Sequence, residues 1–170
     1  MDLAALIRDV PDFPVEGVLF KDITTLLQNA QGFEAAVDAL ASRYAGRHID
    51  QIVAIESRGF IFGAPLAYKL GAGLVPIRKA GKLPAKTISA EYSLEYGTAT
   101  LEMHVDAIRP GEKVLLVDDL LAAGGSARAA VDLVERLGGV VVGAAFLIEL
   151  EFLQGAKQLE GYEVFSLIRF

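Results

Sequence analysis

Apolar and polar positions follow two different rhythms along this chain, and the changes of rhythm mark its elements. Phe33, Ala36, Val37, Leu40, Ala41 and Tyr44 recur at helical spacing and predict a helix over 33–45. Apolar runs at 51–56, 73–77, 114–118 and 140–148 instead read as short strands buried on both faces. Between them, 59–71 predicts a turn and a helix with Gly71 near its end and Pro65 close to its start, because proline is awkward in a helix interior. Residues 126–137 predict a further helix, buried along Ala127, Ala130, Val131, Val134 and Leu137. Two-sided apolar strands separated by helices imply an α/β fold: a mostly parallel central sheet flanked by helices on both faces.

Other stretches have weaker rhythms. Residues 3–9 read as a short amphipathic helix ended by the Pro11 to Pro14 segment, and 15–31 as a mixed, loop-rich stretch. Residues 78–90 carry Arg78, Lys79, Lys82 and Lys86 with little periodicity and predict a mobile loop. Over 91–103 a strand, a turn near Gly97 and a second strand are expected, with Ala99, Leu101 and Met103 on one face. Residues 109–113 read as a turn and 162–168 as an edge strand. No internal repeat or linker divides the chain, so residues 1–170 are expected to form one domain.

Composition narrows the function classes. With 16 basic and 22 acidic side chains the net charge is −6, which argues against general nucleic-acid binding but leaves room for a local anion site. Cysteine is absent, which excludes disulfides, thiolate nucleophiles and cysteine-held metals. His48 and His104 form no metal pattern and suit surface or packing roles. The amino-terminal apolar run is too short for a signal peptide, and no stretch approaches a membrane span, so the cytoplasm is the default location.

The most informative segment is VLLVDDLLAAGGS, where Asp118 and Asp119 close a buried strand before a glycine-containing loop and a helix. Ligands of open α/β sheets sit beyond the carboxyl ends of strands, and a helix start offers free N–H groups and a favourable dipole to a phosphate. Gly124 and Gly125 allow close backbone approach, Ser126 adds a hydroxyl, and Ala122 and Ala123 offer backbone N–H groups. Two adjacent acids there suit ribose hydroxyls or a divalent ion. The plainer alternative is a strand end followed by a simple turn. The segment matches neither a Walker A loop nor a dinucleotide fingerprint.

This segment closely resembles the phosphoribosyl diphosphate-binding motif of type I phosphoribosyltransferases, and the two leucines after the acids resemble the adenine-specific members. FPVEGVLFKDIT at 13–24, ESRGFIFG at 56–63, RKAGKLPAKT at 78–87 and YSLEYGTATLEMH at 92–104 are similar to that family in order and spacing. The resemblance implies the type I phosphoribosyltransferase fold, with a small amino-terminal hood over 1–31 and a flexible lid over 78–98. It implies a purine-salvage transferase that makes AMP and diphosphate from adenine and phosphoribosyl diphosphate with Mg²⁺, working as a homodimer. Residues 122–126 would hold the 5′-phosphate, and Asp118 and Asp119 the ribose hydroxyls. Family members often carry Thr where this chain has Ala123 and Ser126; Ser126 keeps the hydroxyl, whereas Ala123 leaves only backbone. Ala80 stands where Pro or Lys is common, a change expected to alter loop stiffness more than chemistry.

The same resemblance assigns further residues. Arg58, just beyond a strand end, suits diphosphate, with a structural salt bridge as its alternative. Arg78, Lys79 and Lys82 would reach diphosphate from the lid, unless they are merely solvated. Glu95 would sit near the base and accept from a base N–H, and Tyr96 would orient a reacting group or pack the lid. Glu102 is a second carboxylate with a more structural position. Leu19, Phe20, Lys21 and Leu120 would form the adenine pocket, although the residues alone favour core packing for Phe20 and Leu120. Two rival functions stay open: a 6-oxopurine enzyme of the same type, and a non-catalytic nucleotide sensor with this fold.

Overall fold

The apolar runs do become the interior strands of one sheet. The computed structural model describes residues 1–170. Strands β3 (Gln51–Ile55), β4 (Gly73–Lys79), β7 (Lys113–Leu121), β8 (Val140–Glu149) and β9 (Val164–Arg169) run parallel, and β5 (Thr87–Ser93) and β6 (Thr98–His104) add an antiparallel hairpin at one edge. The order across the seven strands is β5-β6-β4-β3-β7-β8-β9. β1 (Arg8–Pro11) and β2 (Leu19–Asp22) pair as a separate two-stranded sheet.

Alternation along the interior strands divides the core between two faces. Leu115 and Val117 of β7 pack with Ile52, Ala145 and Leu147 beneath α2 (Ala30–Tyr44) and α3 (Gly59–Leu70). Val114 and Leu116 face the other way, with Val53, Ile55 and Phe146, and are covered by Ala127, Ala130, Val131 and Val134 of α4 (Gly125–Arg136). Each helix thus buries the stripe that its periodicity marks. On α4 that stripe also takes in Ala129 and Leu133, whereas Leu137 lies just past the helix and is only partly buried.

This topology decides where a ligand can sit. The connection after β3 leads through α3 to β4 on one side. The connection after β7 leads through α4 to β8 on the other. Neighbouring strands whose crossovers part in opposite directions leave a crevice at their carboxyl ends, here between the residues following Ile55 and those around Leu121.

Several expectations need correction. The helix over 3–9 is only one tight turn at Ala4–Leu6, after which the chain becomes β1. An isolated helix of that length is marginal, and the pairing of Arg8–Pro11 with a strand from the stretch expected to be loop-rich replaces it. That stretch, 15–31, also contains α1 (Thr24–Leu27) and the start of α2, whose first turn Asn29 caps by accepting from Gly32 N–H. Pro65 lies inside α3 rather than near its start; fully buried Phe62 and Leu66 hold the helix in place despite the N–H that proline removes. Gly71 does cap α3, in the left-handed conformation.

Of the loop expected over 78–90, only the turn over 80–86 lies outside regular structure; the rest is the end of β4 and the start of β5. Glu102 fastens this turn: its carboxylate accepts from Gly81 N–H at 2.7 Å and from the Thr87 hydroxyl at 3.0 Å. His104 accepts from Ala85 N–H at 3.3 Å, while exposed His48 pairs with Asp50. Sequence periodicity could not show these bonds, because their partners lie a strand away.

The β1–β2 sheet carries an acid-labile tie. Asp22 accepts from Thr24 N–H at 2.9 Å and from the Thr24 hydroxyl at 2.7 Å, and pairs with Arg8 at 2.6 Å. The Thr24 donors, followed by Arg8, hold its carboxyl down at about 2. A depressed acid stabilises the fold above its unfolded value near 4 and loses that contribution as pH falls toward 2, here on the order of 1 kcal/mol after solvent screening. Asp22→Asn is therefore expected to melt below the wild type at pH 6 and level with it near pH 2, as thermal melts across that range would read.

Candidate active site

β7 continues past the acids to Leu121, three residues beyond the strand expected over 114–118, and only residues 122–124 separate strand from helix. Gly124 makes the turn at φ +89° and opens α4 with no side chain capping it. The helix's first bond runs from Arg128 N–H to the Gly124 carbonyl. The N–H groups of Gly125, Ser126 and Ala127 are therefore left pointing out of the helix start, as an anion site requires.

The loop is braced from behind. A Cβ on Gly155 would overlap the Ala122 carbonyl oxygen, and one on Gly124 would overlap the Gly155 carbonyl oxygen. The backbone of the tight helical segment Gly155–Leu159 thus lies directly against the loop. Sequence reading missed Gly155, since nothing in the residues around it distinguishes it from a surface turn glycine.

Asp118 and Asp119 lie within β7, are 9% and 6% exposed, and follow Leu116 and Val117 in the strand's alternation. Asp119 thereby meets Arg58 at the start of α3: Arg58 Nε–H donates to Asp119 Oδ2 at 2.6 Å. Asp118 Oδ1 accepts from the Asp119 N–H at 2.8 Å. Burial, reinforced by the neighbouring Asp119 charge, pushes the Asp118 carboxyl well above the usual carboxylate range. Burial opposes the charge on Arg58, but the hydrogen bond to Asp119 and the charges of both acids outweigh it and raise its pKa. Gly59 lets these pieces meet, since a Cβ there would lie 2.9 Å from Asp118 Oδ1.

A cleft of about 440 Å³ joins these groups, lined by residues 56–58, Lys79, residues 92–95 and residues 118–127. The structure therefore brings together Arg58, Lys79, Glu95, Asp118, Asp119, Leu120, Ala122, Ala123, Gly124, Gly125 and Ser126, as the sequence expected. Arg78 and Lys82 do not line it. Both are held by Glu56, Arg78 Nε at 3.2 Å and Lys82 Nζ at 3.4 Å, and Glu56 also accepts from Lys79 N–H. Burial would raise the Glu56 carboxyl, but these donors win and lower it.

Leu19, Phe20 and Lys21 also lie outside the lining. They belong to β2, where Leu19 is exposed, Phe20 packs edge-on against Phe13, and Lys21 bonds to Asp9 at 2.6 Å with its ammonium over the Phe170 ring. Tyr96 is exposed and lies outside the lining as well. Conversely, Tyr92 lines the cleft although no role was assigned to it from sequence; its position within YSLEYG was the available signal.

Chemically, the cleft pairs an uncapped helix start with four carboxylates (Glu56, Glu95, Asp118, Asp119) and two cations (Arg58, Lys79). A phosphate entering this cleft would find mainly backbone N–H donors, and the acids would suit hydroxyl or amine donors.

Comparison with known proteins agrees with this geometry. The model of the phosphoribosyl transferase domain matches residues 23–168. The chain is similar to the adenine phosphoribosyltransferase of Chloroflexus aurantiacus, 60% identical over 99% of this chain and 98% of that protein. Among solved structures, it is similar to the adenine phosphoribosyltransferase of Thermoanaerobacter pseudethanolicus at TM-score 0.97 and 54% identity, covering 99% of this chain and 98% of that one. It is also similar to the Saccharomyces cerevisiae enzyme complexed with an imino-altritol bisphosphate and adenine, at TM-score 0.92 and 43% identity, covering 98% and 96% of the two chains.

Proposed function

The chain belongs to the phosphoribosyltransferase family, and we infer that it transfers the 5-phosphoribosyl group from 5-phospho-α-D-ribose 1-diphosphate to adenine, giving AMP and diphosphate in purine salvage. The observation that carries this reading is the uncapped start of α4 directly beside the buried acids of β7. That pairing suits a sugar carrying a phosphate at one end and hydroxyls in the middle. Adenine as the acceptor follows from the relatives, whose identity extends over the whole chain.

In this reading the N–H groups of residues 122–126 and the Ser126 hydroxyl hold the 5′-phosphate. Ala123 contributes backbone alone. Asp118 and Asp119 accept from the ribose hydroxyls, and Arg58 turns part of its guanidinium toward diphosphate while keeping Asp119 in place. Lys79 reaches diphosphate directly. Arg78 and Lys82 would reach it only by leaving Glu56, so their assignment requires the 80–86 turn to rearrange. Leu120 is the cleft's apolar wall for the base; Leu19, Phe20 and Lys21 would act as a hood from the β1–β2 sheet.

The substitution breaks the C1–O bond to diphosphate and forms the bond from adenine N9 to C1, with the N9 proton lost from the base. Glu95 accepts from a base N–H, which keeps electron density on N9 as positive charge develops on the ribose. Positioning by the phosphate loop and the acids supplies most of the rate.

No three His, Cys, Asp or Glu side chains converge on a metal position, and Asp119 already holds Arg58. Two hard carboxylates fit Mg²⁺ only as partial ligands, the remainder coming from substrate oxygens and water. Bound in that way, Mg²⁺ would neutralise charge on the leaving diphosphate. The resemblance to the family is what supports a homodimer, which sedimentation would test. A cysteine-free chain is compatible with the cytoplasm proposed for it.

The test is AMP formation from adenine and phosphoribosyl diphosphate, with and without Mg²⁺, against hypoxanthine as competing base. Adenine turnover with little hypoxanthine turnover is expected. Absence of AMP would leave the nucleotide-sensor reading, and faster hypoxanthine turnover the 6-oxopurine one. Glu95→Gln is expected to lower turnover about 100-fold with an unchanged melt, because Glu95 is exposed and ties nothing in the fold.

A further inference from the structure

Glu95 stands in an exposed tip, residues 93–97, which by itself has little to hold it in place. The strand leading into the tip is held firmly. Ile88, Ala90 and Tyr92 alternate along β5 toward the core face shared with α4. Arg136, at the far end of α4, donates to the Ser89 carbonyl. Tyr92 is the last residue of that stripe before the tip, and it meets the other end of α4 at the phosphate loop. An added Cβ on Gly125 would lie 3.1 Å from Tyr92 Cδ2, 3.5 Å from its Cβ and 3.6 Å from its Cγ. The ring edge therefore rests on the Gly125 backbone, within the residues assigned to the 5′-phosphate. Tyr92 also lines the cleft. Burial and, after it, the Asp118 charge raise its phenol's pKa.

We propose that Tyr92 is a positioning residue that docks the Glu95 tip against the phosphate loop, through contact of its ring with the backbone of Gly125. The inference rests on the adenine-transfer reading and deepens it. Two parts of the site come from segments more than twenty residues apart, and a rigid, planar side chain sets the gap between them. A glycine at 125 has no side chain to hold the ring off. The three atoms nearest that position are Tyr92 carbons, so the proposed role falls to the ring rather than to the hydroxyl. Misplacing a base-contacting carboxylate by about 1 Å costs on the order of 100-fold in rate.

Steady-state kinetics of Tyr92→Phe, Tyr92→Leu and Tyr92→Ala, each alone and combined with Glu95→Gln, test this alongside the wild type. Tyr92→Phe is expected to stay within about threefold of wild type. Tyr92→Ala is expected to lose about 10- to 100-fold in kcat, with the KM for phosphoribosyl diphosphate changed by less than about threefold, because the 5′-phosphate site itself remains. Tyr92→Leu keeps apolar bulk in the stripe and should fold even if the alanine variant does not; it should show the same split to a smaller degree. Combined with Glu95→Gln, the alanine and leucine changes should cost little more, since they act through Glu95. Wild-type turnover in Tyr92→Ala or Tyr92→Leu, a Tyr92→Phe loss equal to that of Tyr92→Ala, or full additivity with Glu95→Gln would each overturn the proposal. If the wild type itself formed no AMP, the transfer reading would fall first and the proposal with it, an outcome distinct from the other three.

Discussion

Replacing both acids of the cleft, Asp118→Asn with Asp119→Asn, is expected to lower AMP formation by about 1,000-fold or more while the melting temperature holds or rises. The two effects part because Asp118 is a costly residue for stability. Both are buried, and burial together with the Asp119 charge raises the Asp118 carboxyl. Asparagine is nearly isosteric and removes that repulsion. The amide oxygen introduced at position 118 would still accept from the backbone N–H of residue 119, which in the wild type donates to Asp118 at 2.8 Å. Arg58 would lose its 2.6 Å partner, but its side chain is 48% exposed and water can solvate it. Lost instead, in the proposed reading, are the two carboxyl acceptors for the ribose hydroxyls, whose hydrogen bonds would strengthen as the ribose becomes cationic. Turnover within threefold of wild type in a folded double variant would remove the acids from the mechanism.

Gly155→Ala is the second large effect, expected to raise the KM for phosphoribosyl diphosphate about 10- to 100-fold and to cost about 1–3 kcal/mol of stability. Its backbone φ lies outside the left-handed region, so alanine is conformationally acceptable there. The cost comes from collision: the new Cβ would overlap the Ala122 carbonyl oxygen and lie 3.0 Å from the Ala122 carbonyl carbon and 3.1 Å from that of Ala123. Those are backbone atoms of the phosphate loop, and no rotamer change can move them aside. Relief requires the loop itself to shift, which displaces the N–H groups assigned to the 5′-phosphate. Titration of substrate binding with a thermal melt would separate the two effects. Unchanged affinity in a destabilised protein would show that the loop tolerates the shift.

Gly155 and Asp118 also mark two levels of legibility. Asp118 could be identified in the sequence because its neighbours are local: a run of apolar residues before it, glycines and a helix pattern after it. The same locality made the helices near 33–45 and 126–137, the buried strands and the Gly71 cap readable, and the structure places them within a few residues of the expected bounds. The resemblance extended this to Arg58 and Glu95, which the fold brings to one cleft. Arg78, Lys82 and the Leu19 to Lys21 group behave differently. Their charge or apolarity is visible, but their partners are not, and Glu56, Phe13, Asp9 and Phe170 occupy them in the fold.

By itself, the sequence of VLLVDDLLAAGGS determined that a strand bearing two acids passes through a tight glycine turn into a helix, because backbone period and glycine's conformational freedom act over a few residues. Only the tertiary structure decided what surrounds that turn. The strand order sets β7 beside β3 and so brings Arg58 to Asp119. The Gly155 backbone braces the loop from behind and the Tyr92 ring rests against it in front. These contacts join residues up to 61 positions apart in the ion pair, and they follow from how the faces of the sheet are covered, a property of the whole packed chain that no local rhythm carries.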